Sequence, residues 1–330
     1  MGNLFGKLRT SARLIHTGSG PDMLYKRVKY CVRGLVCPAA TAEWFQLLEN
    51  PALAGVVRRD PNLFQKLQRP YLASIFPTSE RLRVLRQHYQ FVLDRLSARL
   101  VAEIYSPTGK CLASLPAEGV GGFELRLGFS RLDKEGELSL RLWDCQTDRP
   151  LFTLTFSVAH FDAGRREIII GGLQGNRLAL DRDLVIALTR GWHGLRPKAL
   201  LLFTVQQLAA AWNITTLRAV GDTTHIYQHW RKRKQLPSSY DEWWQESGGC
   251  RAADGLFDLP ARFVPREVAL LKVNKRPLYR KRYQMLAELA EQIRANLASL
   301  PEKSSPLRCP AALVEPNPAS AERKEEVPVF

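Results

Sequence analysis

The feature that most constrains this sequence is an alternation of apolar and polar residues that begins after the glycine pair at 121–122. Apolar residues stand at every second position in the ranges 123–129, 138–142 and 152–158. Successive side chains of a strand point to opposite faces, so this period of two gives each segment one apolar and one polar face. Turn-forming residues separate the segments, as at 133–136 (Asp-Lys-Glu-Gly). We therefore predict an antiparallel meander.

Helices are predicted on both sides of the meander. The strongest helical periodicity runs from 78 to about 104, and shorter helices are expected at 23–30 and 42–50. The later elements are a strand at 167–170, helices at 184–189 and 197–212, a strand at 216–220, a capped helix after Ser239 and a long helix over 279–297. The predicted fold class is α+β, with a helical N-terminal region followed by a mixed, mostly antiparallel sheet with packed helices.

Composition divides the 330 residues into three zones. We expect a basic helical region at 1–110, a mixed α/β domain at 111–300 and a disordered tail at 301–330, which is rich in Pro, Glu, Ser and Lys. The formal net charge is +16, and no apolar run is long enough for a transmembrane helix. Six scattered cysteines favour a reduced, cytoplasmic protein without a metal centre. The N-terminus is either a frayed cationic end or a short amphipathic helix at a membrane surface.

Four separated phrases resemble the VirK/YbjX family of bacterial proteins. They lie, in order, at 170–175, 189–198, 239–244 and 275–283. The resemblance extends over roughly residues 20–300 and leaves the tail outside. It implies a connection with virulence and the cell envelope, and it implies no particular reaction, because none is established for the family.

The segment at 191–198 (Gly-Trp-His-Gly-Leu-Arg-Pro-Lys) is the strongest candidate binding site. Pro197 suits the first position of a helix, where unpaired N–H groups attract anions. Two glycines would let the backbone approach a ligand, and two cations add positive charge. The candidate binding residues for a phosphate-bearing ligand are Gly191, Gly194, Arg196 and Lys198. The alternative is a tight turn between two helices, in which a glycine caps the first helix in the left-handed conformation.

The order of the predicted elements is similar to the acyl-CoA-binding core of the GCN5-related acetyltransferases. Both have a meander, a strand, a glycine-bearing loop, a helix and a further strand. In that family the loop amides hold the pyrophosphate of the cofactor, so the resemblance implies acyl-CoA as the ligand. The match departs from the family in two ways, because only Gly194 stands at its motif position and the helix at 184–189 is an insertion.

Acyl transfer requires a base that takes a proton from the acceptor and an acid that protonates the leaving thiolate. His193 or His225 would be the base, because histidine titrates near neutral pH, and Tyr227 would be the acid. The alternative is that neither histidine is catalytic, since histidines near loops are common, and that His193 bonds a carbonyl at the helix end.

Two clusters in which cations alternate with aromatic residues, at 230–234 and 275–283, indicate a second function class. Such clusters could bind phosphates of lipopolysaccharide, of a membrane lipid or of nucleic acid, or they could be solvated surface. No motif for reading bases is present, so sequence-specific binding of nucleic acid is not expected. The two hypotheses are an acyl-CoA-dependent acyltransferase and a non-catalytic module that binds an anionic membrane surface or nucleic acid.

Overall fold

The computed structural model describes residues 4–160, 165–176, 178–227 and 239–298. The N-terminal helices are α1 (Leu4–Ile15), α2 (Pro21–Val36), α3 (Pro38–Leu48), α4 (Ala54–Arg59), α5 (Thr78–Arg95) and α6 (Ala98–Ile104). The single helix expected over 78–104 is divided in two. Ser97 adopts an extended backbone conformation there, and its side chain accepts a hydrogen bond from the Leu100 amide as the cap of α6.

The strands that follow α6 begin with one that was not predicted. They are β1 (Lys110–Ala117), β2 (Gly121–Phe129), β3 (Leu138–Asp144), β4 (Arg149–His160) and β5 (Arg166–Gly175). Strands β2 to β4 are the predicted meander. Strand β5 is longer than expected, because it continues through the glycines at 171 and 172.

The rest of the described chain alternates between helices and short strands. It contains α7 (Arg182–Gly191), α8 (Pro197–Ala211), β6 (Thr216–Ala219), α9 (Tyr240–Glu246), β7 (Cys250–Arg251), β8 (Phe257–Leu259) and α10 (Arg276–Ala298). The sheet order is β1-β2-β3-β4-β5-β6-β8-β7. Strands β5 and β6 are parallel, and the other described pairs are antiparallel. The fold is therefore α+β with a mixed sheet, as predicted.

One hydrophobic core joins the N-terminal helices to the sheet. It extends from Leu8 of α1, through the strands, to Ile293 of α10. Helix α8 is apolar on nearly every side and buries ten of its fifteen residues, which places it inside the molecule.

A buried ion pair also links the helices to the sheet. The Lys66 ammonium lies 2.6 Å from Oε1 of Glu137, and both side chains are at most 3% exposed. The Tyr89 hydroxyl donates to the other carboxylate oxygen. Burial alone would raise the pKa of Glu137, but Lys66 and its other partners hold that pKa below the ordinary value.

Several predictions lie outside this description. The tail at 301–330 and the basic residues at 231–234 fall outside the described residues. The division into three zones and the likeness to the GCN5-related acetyltransferases stay predictions. Within the described ranges, no helix combines the length and apolar character that crossing a bilayer requires.

Candidate functional site

The candidate site forms where β5 and β6 part. Their parallel ladder runs only from the Glu167–Thr216 pair to the Ile170–Ala219 pair. Strand β5 continues along β4 as far as Gly175, whereas the chain after β6 enters a turn at Gly221. The end of β5 thus pairs with β4 on one side, and no described strand pairs with its other side.

The Glu135 side chain is buried beside the two glycines of β5. It lies in the turn between β2 and β3, yet it is only 2% exposed. A Cβ atom at Gly171 would lie 2.0 Å from the Glu135 carbonyl oxygen, and one at Gly172 would lie 2.0 Å from Oε2 of its carboxyl. Any side chain at either position would therefore collide with Glu135, so the glycine pair makes the space that this residue occupies.

The Glu135 carboxyl is held by two polar side chains and is cut off from water. Its Oε2 accepts hydrogen bonds from Oγ1 of Thr155 at 3.1 Å and from Nε2 of Gln174 at 3.3 Å. Burial raises the pKa of Glu135 from 4.5 to about 8, because a charged carboxylate is poorly solvated there. A carboxyl with such a pKa can both release and accept a proton near neutral pH.

His225 and Tyr227 lie next to this carboxyl. Nε2 of His225 is 3.9 Å from Oε1 of Glu135, and it has no hydrogen-bond partner among the described residues. Nδ1 accepts from the Tyr227 amide at 3.3 Å, which leaves the proton of the neutral ring on Nε2. Burial lowers the pKa of His225 to about 4 and raises the pKa of Tyr227. His225 is therefore neutral at physiological pH and a weak base.

Helix α9 closes the gap beside β5. The Tyr240 hydroxyl accepts a hydrogen bond from the Leu173 amide at 3.0 Å and donates to the Leu173 carbonyl at 3.2 Å. Its ring stacks on His225 with centroids 5.1 Å apart. The start of α9 is fixed because Asp222 accepts from the Tyr240 amide and from the Ser239 hydroxyl. The capped helix predicted from Ser239 thus holds an aromatic ring against the site.

A cavity of about 490 Å³ opens at the N-terminus of α8. Four apolar or aromatic side chains and three cations are among its lining residues: Phe152, Val185, Ile186, Trp243, Arg190, Arg196 and Lys198. The cavity borders the end of β5, because Phe152 pairs with Gly175 in the β4–β5 ladder. Burial lowers the pKa of Lys198. Its size and mixed lining are typical of small-molecule sites.

The turn between α7 and α8 is a glycine cap rather than a loop with free amides. The Gly194 amide donates to the Thr189 carbonyl at 2.7 Å, and Gly194 has a left-handed φ of 79°. The amides of residues 192, 193 and 195 also bond to backbone carbonyls. The expectation that amides around Gly191 and Gly194 are free to hold a pyrophosphate is therefore wrong.

The other predicted site residues fall into two groups. Arg196 and Lys198 line the same cavity, and His225 and Tyr227 lie together beside Glu135. His193 stays in the α7–α8 turn, where its carbonyl accepts two hydrogen bonds from the Arg282 guanidinium at 2.9 and 2.8 Å. These hydrogen bonds tie His193 to α10 rather than to the Glu135 carboxyl.

Three residues of the site were not predicted from the sequence. Glu135 was assigned only to the turn at 133–136, and Tyr240 and Trp243 only to the capped helix after Ser239. A signal for Glu135 was present, because consecutive glycines within a strand indicate close approach by another part of the chain. That signal does not say which part of the chain approaches.

Comparison with known proteins gives a family and several relatives. The family model described as protein of unknown function (DUF535) matches residues 21–295. Uncharacterized protein YbjX of Escherichia coli K12 is 31% identical over 272 residues, which cover 81% of this chain and 82% of that protein. An uncharacterized protein of Haemophilus influenzae is 27% identical over 274 residues, or 82% and 89% of the two chains. Membrane protein LapB of Mannheimia haemolytica is 24% identical over 197 residues, or 59% and 82%.

Proposed function

The chain belongs to the DUF535 family, in agreement with the predicted VirK/YbjX resemblance, and we propose that it transfers an acyl group from acyl-CoA to an amine. The observation that carries this proposal is the buried Glu135 carboxyl beside the glycine pair of β5. A cavity with three cations in its lining reaches the same strand at Gly175, the pairing partner of Phe152 and three residues beyond Gly172. The two features together supply a proton-transferring group and a site for an anionic substrate.

The order of elements supports the same activity. A meander, a glycine-bearing strand, a helix and a parallel strand follow one another in the sequence order of the acyl-CoA-binding core described above. Helix α7 is an additional element between the strand and the helix. Since the amides of the α7–α8 turn are paired, we assign the anion to the side chains that line the cavity instead.

The cavity has the chemistry that acyl-CoA needs. Arg190, Arg196 and Lys198 can pair with its phosphates, and arginine does so with two parallel hydrogen bonds. The Trp243 ring offers a face on which an adenine can stack. The apolar lining at Phe152 suits the pantetheine arm and the acyl chain.

In the proposed reaction the amine nitrogen attacks the thioester carbonyl carbon, a C–N bond forms and the C–S bond breaks. Ionised Glu135 accepts the proton that the amine loses, because its pKa of about 8 lies near the working pH. The leaving sulfur takes a proton from the Tyr227 hydroxyl. Glu135 replaces the histidines as the proposed base, since burial keeps His225 neutral and a poor proton acceptor.

The name of one relative adds a proposal about location. The Mannheimia haemolytica protein is called a membrane protein. We propose that this chain also works at a bacterial membrane, which agrees with the connection to virulence and the cell envelope that the VirK/YbjX resemblance implies. A membrane-bound acceptor amine would fit both this location and the proposed reaction.

Calorimetric titration of the full chain with acetyl-CoA and with a long-chain acyl-CoA tests the proposal. Lys198→Met should weaken binding about tenfold, because it removes one charged hydrogen bond to phosphate. Lys272→Met, which removes an exposed cation on another segment, should leave affinity unchanged. If neither acyl-CoA binds at millimolar concentration, the proposed function is wrong.

Release of free CoA thiol in the presence of an amine tests the chemical step. Glu135→Gln should lower kcat by about 10² to 10⁴ while leaving the affinity for acyl-CoA within a few fold. The rate of the unchanged protein should rise with pH through about 8, as Glu135 ionises. Normal turnover by Glu135→Gln would exclude Glu135 as the base.

A further inference from the structure

Helix α2 has a second apolar face that the fold leaves exposed. Six of its large apolar side chains are between 46% and 73% exposed: Leu24, Tyr25, Val28, Val32, Leu35 and Val36. At 100° per residue, these positions fall within an arc of about 120° on the helix surface. We call this arc the α2 apolar face.

The opposite side of α2 already anchors the helix to the protein. Tyr30 and Gly34 are buried there, and the Tyr30 hydroxyl lies 2.8 Å from the Ser11 hydroxyl of α1. A Cβ atom at Gly34 would lie 2.5 Å from a methyl group of Leu8, so α1 and α2 approach closely. The α2 apolar face is therefore not part of the hydrophobic core. A contiguous exposed apolar patch of this kind is typical of an interaction surface.

The charges next to this face are almost all positive. Residues 4–36 contain seven basic and one acidic side chain. The acidic one, Asp22, accepts a hydrogen bond from Lys26 at 2.7 Å. By helical geometry, Lys29 stands about 20° and Arg33 about 60° beyond the edge of the apolar arc. The Lys29 ammonium lies 5.5 Å from the centre of the Tyr25 ring.

We propose that the α2 apolar face lies in the headgroup region of a membrane rich in anionic phospholipid. An apolar arc bordered by cations and an exposed tyrosine is the pattern of a helix that rests in the plane of a bilayer. Lys29 and Arg33 then contact lipid phosphates, while Val28 and Val32 enter the acyl boundary. Phe5 and Leu14 of the neighbouring helix α1 are also exposed.

This inference does not rest on the proposed acyltransferase activity. The face belongs to α2, whereas Glu135 lies beside Gly171 and Gly172 of β5 and the cavity opens at the start of α8. Vesicle binding and acyl-CoA binding can therefore fail separately. Loss of one leaves the other intact.

The experiment is cosedimentation of the full chain with vesicles of phosphatidylcholine alone and of phosphatidylcholine mixed with phosphatidylglycerol. The unchanged protein should bind the mixed vesicles more tightly, and added salt should weaken that binding. The triple variant Val28→Gln, Val32→Gln, Leu35→Gln should bind at least about tenfold more weakly, because it loses apolar area that would leave water. Lys29→Glu with Arg33→Glu should remove the preference for phosphatidylglycerol.

The matched control is Ile75→Gln with Leu178→Gln, which removes exposed apolar side chains elsewhere on the molecule. It should bind vesicles like the unchanged protein. Because every altered side chain is exposed, each variant should keep its melting temperature, measured by circular dichroism. A change in vesicle binding then reports the surface itself rather than loss of folding.

Three results would overturn the proposal. One is equal binding of the triple variant and the unchanged protein to the mixed vesicles. Another is the absence of a preference for phosphatidylglycerol in the unchanged protein. The third is a dimer, detected by light scattering, that the triple variant abolishes while vesicles bind neither protein, because a second copy of the chain would then cover the α2 apolar face.

Discussion

Replacing Glu135 by glutamine should change how the stability of the protein depends on pH. The pKa of Glu135 is about 8 in the folded protein, against 4.5 for an unperturbed carboxyl. Between these pH values the folded state keeps a proton that the unfolded state has lost. Raising the pH therefore lowers the free energy of unfolding by about 1.4 kcal/mol per pH unit. Over the whole interval the loss amounts to about 5 kcal/mol.

Glutamine resembles the protonated carboxyl, and it does not titrate. The free energy of unfolding of Glu135→Gln, minus that of the unchanged protein, should rise with pH from about 5 to about 8 and then level off. Burial lowers the pKa values of two histidines, His88 and His225, to about 4. Their titration therefore increases the free energy of unfolding as pH rises from 4 to 6.5. Both proteins contain them, so their contribution cancels in the difference.

Urea unfolding at a series of pH values from 5 to 9 measures this difference. Glu118→Gln is the matched control, since it removes an exposed carboxylate at the β1–β2 turn and should give a curve parallel to that of the unchanged protein. Parallel curves for Glu135→Gln as well would mean that Glu135 ionises at an ordinary pKa. The proposed role of this carboxyl as a base that titrates near neutral pH would then be refuted.

Two further substitutions test the packing around the site and the core. Gly172→Ala should cost about 1–3 kcal/mol in urea unfolding, because its methyl group collides with Glu135, and adding Glu135→Ala should recover part of that loss. An unchanged free energy of unfolding for Gly172→Ala would show that Glu135 does not require glycine at position 172. Lys66→Met should cost about 3–5 kcal/mol, because it leaves the Glu137 carboxylate buried without its cation. A double variant, Lys66→Met with Glu137→Leu, should be more stable than Lys66→Met alone, and a neutral effect of the single change would contradict the buried pair.

Local sequence signals predicted much of the fold. The meander, the helix beginning at Pro197 and the helix capped by Ser239 depend on residues close in sequence, and the structure contains all three. Strand β1 was missed because Ala, Ser and Pro116 are weak strand formers and blur its alternation. Strands β7 and β8, of two and three residues, are too short to show a period.

The site was harder to predict because it is assembled from distant segments. Glu135, Thr155, Gln174 and His225 come from a turn, two strands and the segment after β6. Their spacing in the sequence does not predict that these four side chains lie close together in the fold. The glycines at 191 and 194 gave an ambiguous signal, since a helix cap and an anion-binding loop favour the same residue.

Hydrogen–deuterium exchange of the full chain with and without acyl-CoA is the most direct test of where the substrate binds. Lys198 and Ala199 lie at the start of α8, where the cavity opens. Slower exchange is expected at residues 198–199 on adding acyl-CoA, and no change is expected at residues 192–195, whose amides all bond to backbone carbonyls. Unchanged exchange at 198–199 under saturating acyl-CoA would contradict a substrate site at the start of α8.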